Sequence, residues 1–198
     1  MDLESQGVKQ MLHKYRATTS FRYLVDIILK SRLYAAPYFD LNDPMEGYYL
    51  MSATGMINDD MQQMLKSAKE RMRICSLSRL PDNPVMWSHY ADGHRGVVIG
   101  LDVADAECEI HPIIYDGPIK ISIDNFNGNS PIEILSRKLV AWEYEAEERV
   151  FTRGKHYVSI VVHELILGSR MSNQDRGFIK DLCAKICPAM IIRDAEHG

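Results

Sequence analysis

The apolar positions change period several times along the chain, and each change marks an element. From Lys9 to Arg16, Met11, His13 and Tyr15 alternate against Leu12, Lys14 and Arg16, which is the period-two pattern of a strand. Ser20 then stands where a cap belongs, and Phe21, Leu24, Val25 and Ile28 recur at helical spacing, predicting a helix over 20–30. Arg32 to Pro37 reads as a short strand. The stretch from Phe39 to Glu46, with Asn42-Asp43-Pro44 inside it, is dense in turn formers and predicts an ordered loop. Met61, Met64, Leu65, Ala68 and Met72 make a second amphipathic helix.

Further on, strands are expected over 73–78, 96–103 and 109–115, with a short helix over 83–91 between the first two. The run GVVIGLDV over 96–103 is the most β-branched of the chain and predicts a central strand. Ser130-Pro131 opens a helix through about Leu139, because proline fits a first helical turn. Glu147–Thr152 and His156–Val162 read as paired strands joined by the turn Arg153-Gly154-Lys155. Ser172 caps a helix carrying Phe178, Ile179, Leu182, Cys183 and Ile186, and Ala189–Arg193 closes the chain as a strand. Helices at the two ends with hairpin-like strands between them predict an α+β fold, built on a mostly antiparallel sheet, split or continuous, with flanking helices.

Length narrows this picture to one unit. The chain has 198 residues, enough for one sizeable core and short for two, and no repeat or linker interrupts it. A single domain over 1–198 is expected, with residues 1–9 a loose lead-in. The net charge of −4 argues against coating nucleic acid by bulk electrostatics and leaves a local basic patch open. None of the four cysteines forms a CxxC pair, and Cys183 and Cys187 read as small core residues on one helix face. No histidine pair has metal-ligand spacing on a predicted helix, so no metal site is expected. The amino terminus lacks the basic region and apolar run of a signal peptide, and no apolar run approaches the roughly 18 residues of a membrane span. With free thiols, these features predict a cytoplasmic protein that does not engage a membrane.

Candidate chemistry lies in four segments. In Trp142–Arg149, read as a strand, Glu145 and Glu147 project side by side with Glu143 before them, and Arg149 and Arg153 are available as partners. Adjacent carboxylates repel, so the segment is either a solvated acidic edge or a site. In His13-Lys14-Tyr15-Arg16, an arginine beside an aromatic ring suits a phosphate on a planar group, although a surface cation beside a half-buried tyrosine gives the same pattern. Ser76 and Ser78 share one strand face and suit an amide or a ribose hydroxyl. Trp87, His89, Tyr90, His94 and Arg95 crowd into the approach to the central strand, either as a partner-binding loop or as anchors and caps. For Asn42-Asp43-Pro44 a purely structural turn is the expectation.

Taken in order, several segments resemble a known family. They are Lys14-Tyr15-Arg16; Leu33-Tyr34-Ala35-Ala36-Pro37 with Asn42-Asp43-Pro44-Met45-Glu46; Ile74-Cys75-Ser76-Leu77-Ser78; Met86–Ala91 leading into Gly96–Gly100; and Trp142-x-Tyr144-Glu145-x-Glu147-x-Arg149. This set, spread over about residues 12–170, resembles the bacterial and phage family called domain of unknown function 2971. Glu148 departs from it, standing where the family's Glu-x-Glu-Trp-Arg pattern has an aromatic residue.

More distantly, the order of segments is similar to the ADP-ribosyltransferase superfamily, whose split antiparallel sheet grips NAD. That resemblance implies NAD as substrate, with Arg16 and Tyr15 on the nicotinamide ribose or the phosphates and Ser76 or Ser78 bordering the nicotinamide pocket. It implies Glu147 on a ribose hydroxyl with Glu145 assisting. It further implies a macromolecular acceptor, nucleic acid or protein, for a toxin or anti-phage effector, with an inhibitory antitoxin or partner protein to hold it in check. Two other readings stand beside it: a non-enzymatic module binding partners through the Trp87–Arg95 loop, and a metal-dependent hydrolase or nuclease built on Glu145, Glu147 and His89 or His94.

Overall fold

In the computed structural model residues 11–19 and 21–196 are described, so the Ser20 cap and the lead-in expected over 1–9 lie outside the described residues. In chain order the elements are β1 (Leu12–Arg16), α1 (Phe21–Lys30), β2 (Arg32–Tyr34), β3 (Ala36–Pro37), β4 (Leu50–Met51), α2 (Asp59–Arg71), β5 (Met72–Ser78) and α3 (Pro84–Tyr90). Next come β6 (Val97–Val103), β7 (Glu109–Pro112), β8 (Lys120–Ile121), α4 (Ser130–Leu135), β9 (Glu147–Arg153), β10 (Tyr157–Leu167), α5 (Asn173–Ile186) and β11 (Ile191–Asp194). The alternation in β1 and the β-branched run of β6 place both strands inside one sheet of order β11-β10-β6-β1-β5-β9-β7, with β2 on β10 and β3 on β5. Every pairing in it is antiparallel except β10 with β11, giving the α+β architecture with flanking helices.

Both faces of the sheet are covered, which is why β6 is apolar at nearly every position rather than alternating. On one face Val97, Ile99 and Leu101 pack with Leu24, Ile27 and Ile28 of α1 and with Ile179 and Cys183 of α5. Burying each of these larger aliphatic side chains stabilises the fold by roughly 1.5–3 kcal/mol. On the other face Tyr15, Val98 and Ile166 meet Met86 and Trp87 of α3. Beyond them, α4 lays Ile132 and Leu135 on Met72, Ile74 and Phe151. Side chains cap three helices by accepting from orphan backbone N–H groups: Asn58 from Met61, Asn83 from Val85 and Met86, and Ser172 from Asp175.

Several expectations need correction. The stretch 32–37 is two strands rather than one, because β2 and β3 pair with different neighbours, β10 and β5. The helix opened by Ser130 ends at Leu135, so Lys138 lies beyond it. The β9–β10 hairpin does not form: β9 pairs with β5 and β7, whereas β10 pairs with β6, β2 and β11. Gly154 takes the left-handed φ of +76° that a turn there requires, and its N–H bonds to the Arg71 carbonyl. A turn signature fixes a local reversal and leaves the partner strand open. Among the described residues no helix is long and apolar enough to cross a membrane.

Candidate active site

The sheet parts between β1 and β5. Five residue pairs join β1 to β6, but a single one, His13 with Ser78, joins β1 to β5. Past that pair Lys14 reaches into the gap, donating from Nζ to the Ser76 carbonyl at 2.8 Å. A cleft of about 240 Å³ opens there. His13, Lys14 and Tyr15 line it from β1, and Ser76, Leu77 and Ser78 from β5. Asn42, Tyr90, Lys138, Glu145 and Glu147 complete much of the rest.

Glu145 and Glu147 do converge, although not as neighbours on one strand face. Residues 140–145 form a 3-10 turn, Ala146 adopts a left-handed φ of 42°, and β9 begins only at Glu147. A left-handed alanine costs on the order of 1–2 kcal/mol, so the surroundings must hold it. What holds it is charge. Lys138 Nζ lies 2.6 Å from Glu145 Oε2 and 2.8 Å from Glu147 Oε2. Arg149, fully buried, donates from Nε to Glu147 at 2.8 Å and grips Glu46 with both terminal nitrogens. It also donates to the Leu135 carbonyl, which ties α4 to β9. Glu143, by contrast, is exposed.

Three carboxylates and two cations thus share a volume with almost no solvent contact, and no member is isolated. Burial alone would raise the Glu147 carboxyl, but Arg149 and Lys138 outweigh it and pull the pKa down to about 2. For Glu46 the balance reverses: burial pushes its pKa up despite Arg149. Lys138 is held protonated above its ordinary range, since Glu147 and Glu145 overcome its burial.

The hydroxyl groups are arranged around this pair. Tyr90 donates to Glu145 Oε1 at 2.5 Å and accepts from Asn42 Nδ2 at 2.7 Å. Ser78 donates to the Glu145 carbonyl at 2.6 Å and accepts from the Leu80 N–H, so its hydroxyl holds the acidic turn in place. Tyr115 accepts from the Glu147 N–H at 2.7 Å. The hydroxyl of Tyr15 donates to the Leu80 carbonyl and accepts from the Asn83 N–H, and burial pushes its pKa up to about 12. Tyr15 therefore offers the cleft the surface of its ring, which packs edge-on against Trp87 at 5.5 Å.

Other expected site residues lie elsewhere. Arg16, the last residue of β1, is not among the cleft-lining residues, whereas Lys14, two residues earlier on the same face, is. The Arg16 guanidinium stands 5.7 Å from the ring centroid of Tyr23 in α1. Trp87 is fully buried with its indole N–H on Asp82, so it presents no surface to a partner, and the half-buried His94 stacks against it at 6.0 Å. His89 pairs with the Tyr144 hydroxyl at 3.0 Å. Among the described residues no three or more His, Cys, Asp or Glu side chains cluster to hold a metal ion.

Glu46, Lys138 and Asn42 were missed. Asp43 does make the structural turn, accepting from the Met45 N–H, but the same loop carries Asn42 to the cleft and Glu46 to Arg149. Of the two arginines expected as partners of the acidic stretch, Arg149 pairs with Glu147, whereas Arg153 is exposed and pairs with Glu109 at 3.5 Å. No family model, curated protein or solved structure matches the chain.

Proposed function

We propose that the chain is an NAD-consuming enzyme of the ADP-ribosyltransferase type, transferring ADP-ribose to a macromolecule as a toxin or anti-phage effector. The observation that carries this reading is the parting of β1 from β5 into a cleft walled by Tyr15 of β1 on one side and by Ser76 and Ser78 of β5, with Glu145 and Glu147 beside them, on the other. At about 240 Å³ the cleft is smaller than the roughly 300–1,000 Å³ of sites for drug-sized ligands, and suits one ring-and-sugar end of a dinucleotide. The more distant resemblance to the transferase superfamily points the same way.

In the reaction, the bond between ribose C1′ and the nicotinamide nitrogen breaks with its electron pair passing to nicotinamide, which leaves neutral. Positive charge builds on the sugar, as in glycoside cleavage, and a carboxylate already fixed in place stabilises it. Glu147 meets that requirement because Arg149 and Lys138 keep it ionised and immobile. Its Oε1 accepts one described bond, from Arg149, which leaves a lone pair for a ribose hydroxyl. On β1 the cation lining the cleft is Lys14, and it takes the place of Arg16 as the partner for a phosphate.

The test is incubation with labelled NAD and cell lysate, following both nicotinamide release and transfer of label. Wild type is expected to release nicotinamide and Glu147→Gln to lose at least about 100-fold, in the range of losses when a group stabilising transition-state charge is removed. No turnover and no NAD binding by the wild type would sink the reading.

A further inference from the structure

His13 is buried to 5 % exposure, lines the cleft, and among the described residues finds no hydrogen-bond partner in bonding geometry for either ring nitrogen. Buried polar side chains are normally bonded, so an unbonded, buried imidazole in the wall of a cleft points to a ligand. The ring is backed by a built arrangement. Residues Glu164, Gly100, His13, Ser78 and Glu147 form one cross-strand row over β10, β6, β1, β5 and β9. Glu164 lies across Gly100, where a Cβ would meet its Cγ at 2.5 Å, and brings Oε1 to 3.7 Å from His13 Nε2. Arg193 of β11 holds that carboxylate from behind at 2.9 and 3.3 Å.

We propose that His13 accepts the proton of the acceptor nucleophile, with Glu164 and Arg193 as its positioning residues. The inference rests on the transferase reading. A hydroxyl or amine of the acceptor gives its proton to the imine nitrogen of His13 while its electron pair attacks ribose C1′. The C1′–N bond breaks and its own electron pair stays on nicotinamide, which leaves neutral, so charge and atoms balance.

The carboxylates suit this step less well. Each oxygen of Glu145 already accepts a bond, from Tyr90 or from Lys138, and Glu147 is fixed between Arg149 and Lys138. Burial lowers the His13 pKa below its ordinary 6.5, against opposing pulls from Glu164 and the Ser78 backbone, and Arg193 adds to the lowering. The ring is therefore neutral, and able to accept, at neutral pH. Besides Glu164 and Arg193, the charged groups around it are Glu145, Glu147 and Lys138 across the cleft and its neighbour Lys14. Tyr90 and Asp40 line the cleft too.

The experiment measures nicotinamide release against pH for wild type, His13→Ala and Glu164→Gln, with and without added imidazole. Wild type should lose activity as pH falls through the His13 titration. His13→Ala should be slower by roughly 100-fold or more, lack that acid limb, keep its KM for NAD within about threefold, and recover on adding imidazole. Glu164→Gln, which removes the carboxylate that favours the charged ring, should move the limb to lower pH, and this keeps the proposal testable if His13→Ala does not fold. An active wild type whose limb is unchanged in the variants overturns the role of His13 alone. A wild type that releases no nicotinamide overturns the transferase reading, and this inference with it.

Discussion

Glu145 and Glu147 share one ammonium group, that of Lys138, at 2.6 and 2.8 Å. Two buried carboxylates brought this close repel, and they are stable together only because Lys138 lies between them and Arg149 neutralises Glu147 from the other side. The arrangement costs desolvation of five charged groups, so its use lies in holding carboxylates fixed at the cleft rather than in adding stability.

Lys138→Met should therefore destabilise the fold by about 3–5 kcal/mol, the range for removing one partner of a buried ion pair. Urea unfolding at neutral pH measures this. A loss under about 1 kcal/mol would show that the carboxylates are not held as described.

Stability should also depend on acid in a way that Glu147 controls. Its folded pKa of about 2 lies below the ordinary 4.5, so its contribution is fully present above about pH 4.5 and fades as pH falls towards 2. Glu46, whose pKa is raised, acts in the opposite direction. Wild type should be more stable than Glu147→Gln at pH 7, and the gap between their melting temperatures should narrow through that acid window. A constant gap contradicts the depressed pKa.

Tyr90→Phe removes the donor on Glu145 and the acceptor for Asn42 while leaving the ring in place. A hydrogen bond to a charged group is worth about 1.5–3 kcal/mol. Nicotinamide release should fall by roughly tenfold or more with only a modest change in melting temperature. Unchanged turnover would remove Tyr90 from the site.

Trp87→Ala should cost about 3–5 kcal/mol, as for other fully buried aromatic residues, because it empties the contact with Tyr15 and His94. A variant that folds with wild-type stability yet loses a binding partner would favour an interaction-module role for the Trp87–Arg95 loop.

The order of elements is largely legible in the sequence because α1 and α5 carry apolar residues at helical spacing, Ser172 caps α5, and β6 is a nearly unbroken β-branched run. Strand neighbours are not, since alternation in β9 and β10 fixes which side is buried and says nothing of which strand lies beside it. The acidic stretch shows the same limit at the site. A strand reading put Glu145 and Glu147 on one face, whereas the left-handed Ala146 and the distant Lys138 bring them together. Lys138 carries no local signal, as it follows α4 in an ordinary Arg-Lys pair. Alternation in β1 does not tell Lys14 from Arg16, which share a face; only the place where β1 parts from β5 puts Lys14 at the cleft and leaves Arg16 beside Tyr23.

The most direct measurement is the change in backbone and histidine-ring NMR signals as NAD is added to the full chain. The account predicts shifts concentrated at residues 13–15, 76–78, 90 and 145–147, weakened in the Ser76→Tyr variant that fills the cleft. Shifts absent at millimolar NAD, or gathered away from the gap between β1 and β5, would contradict it.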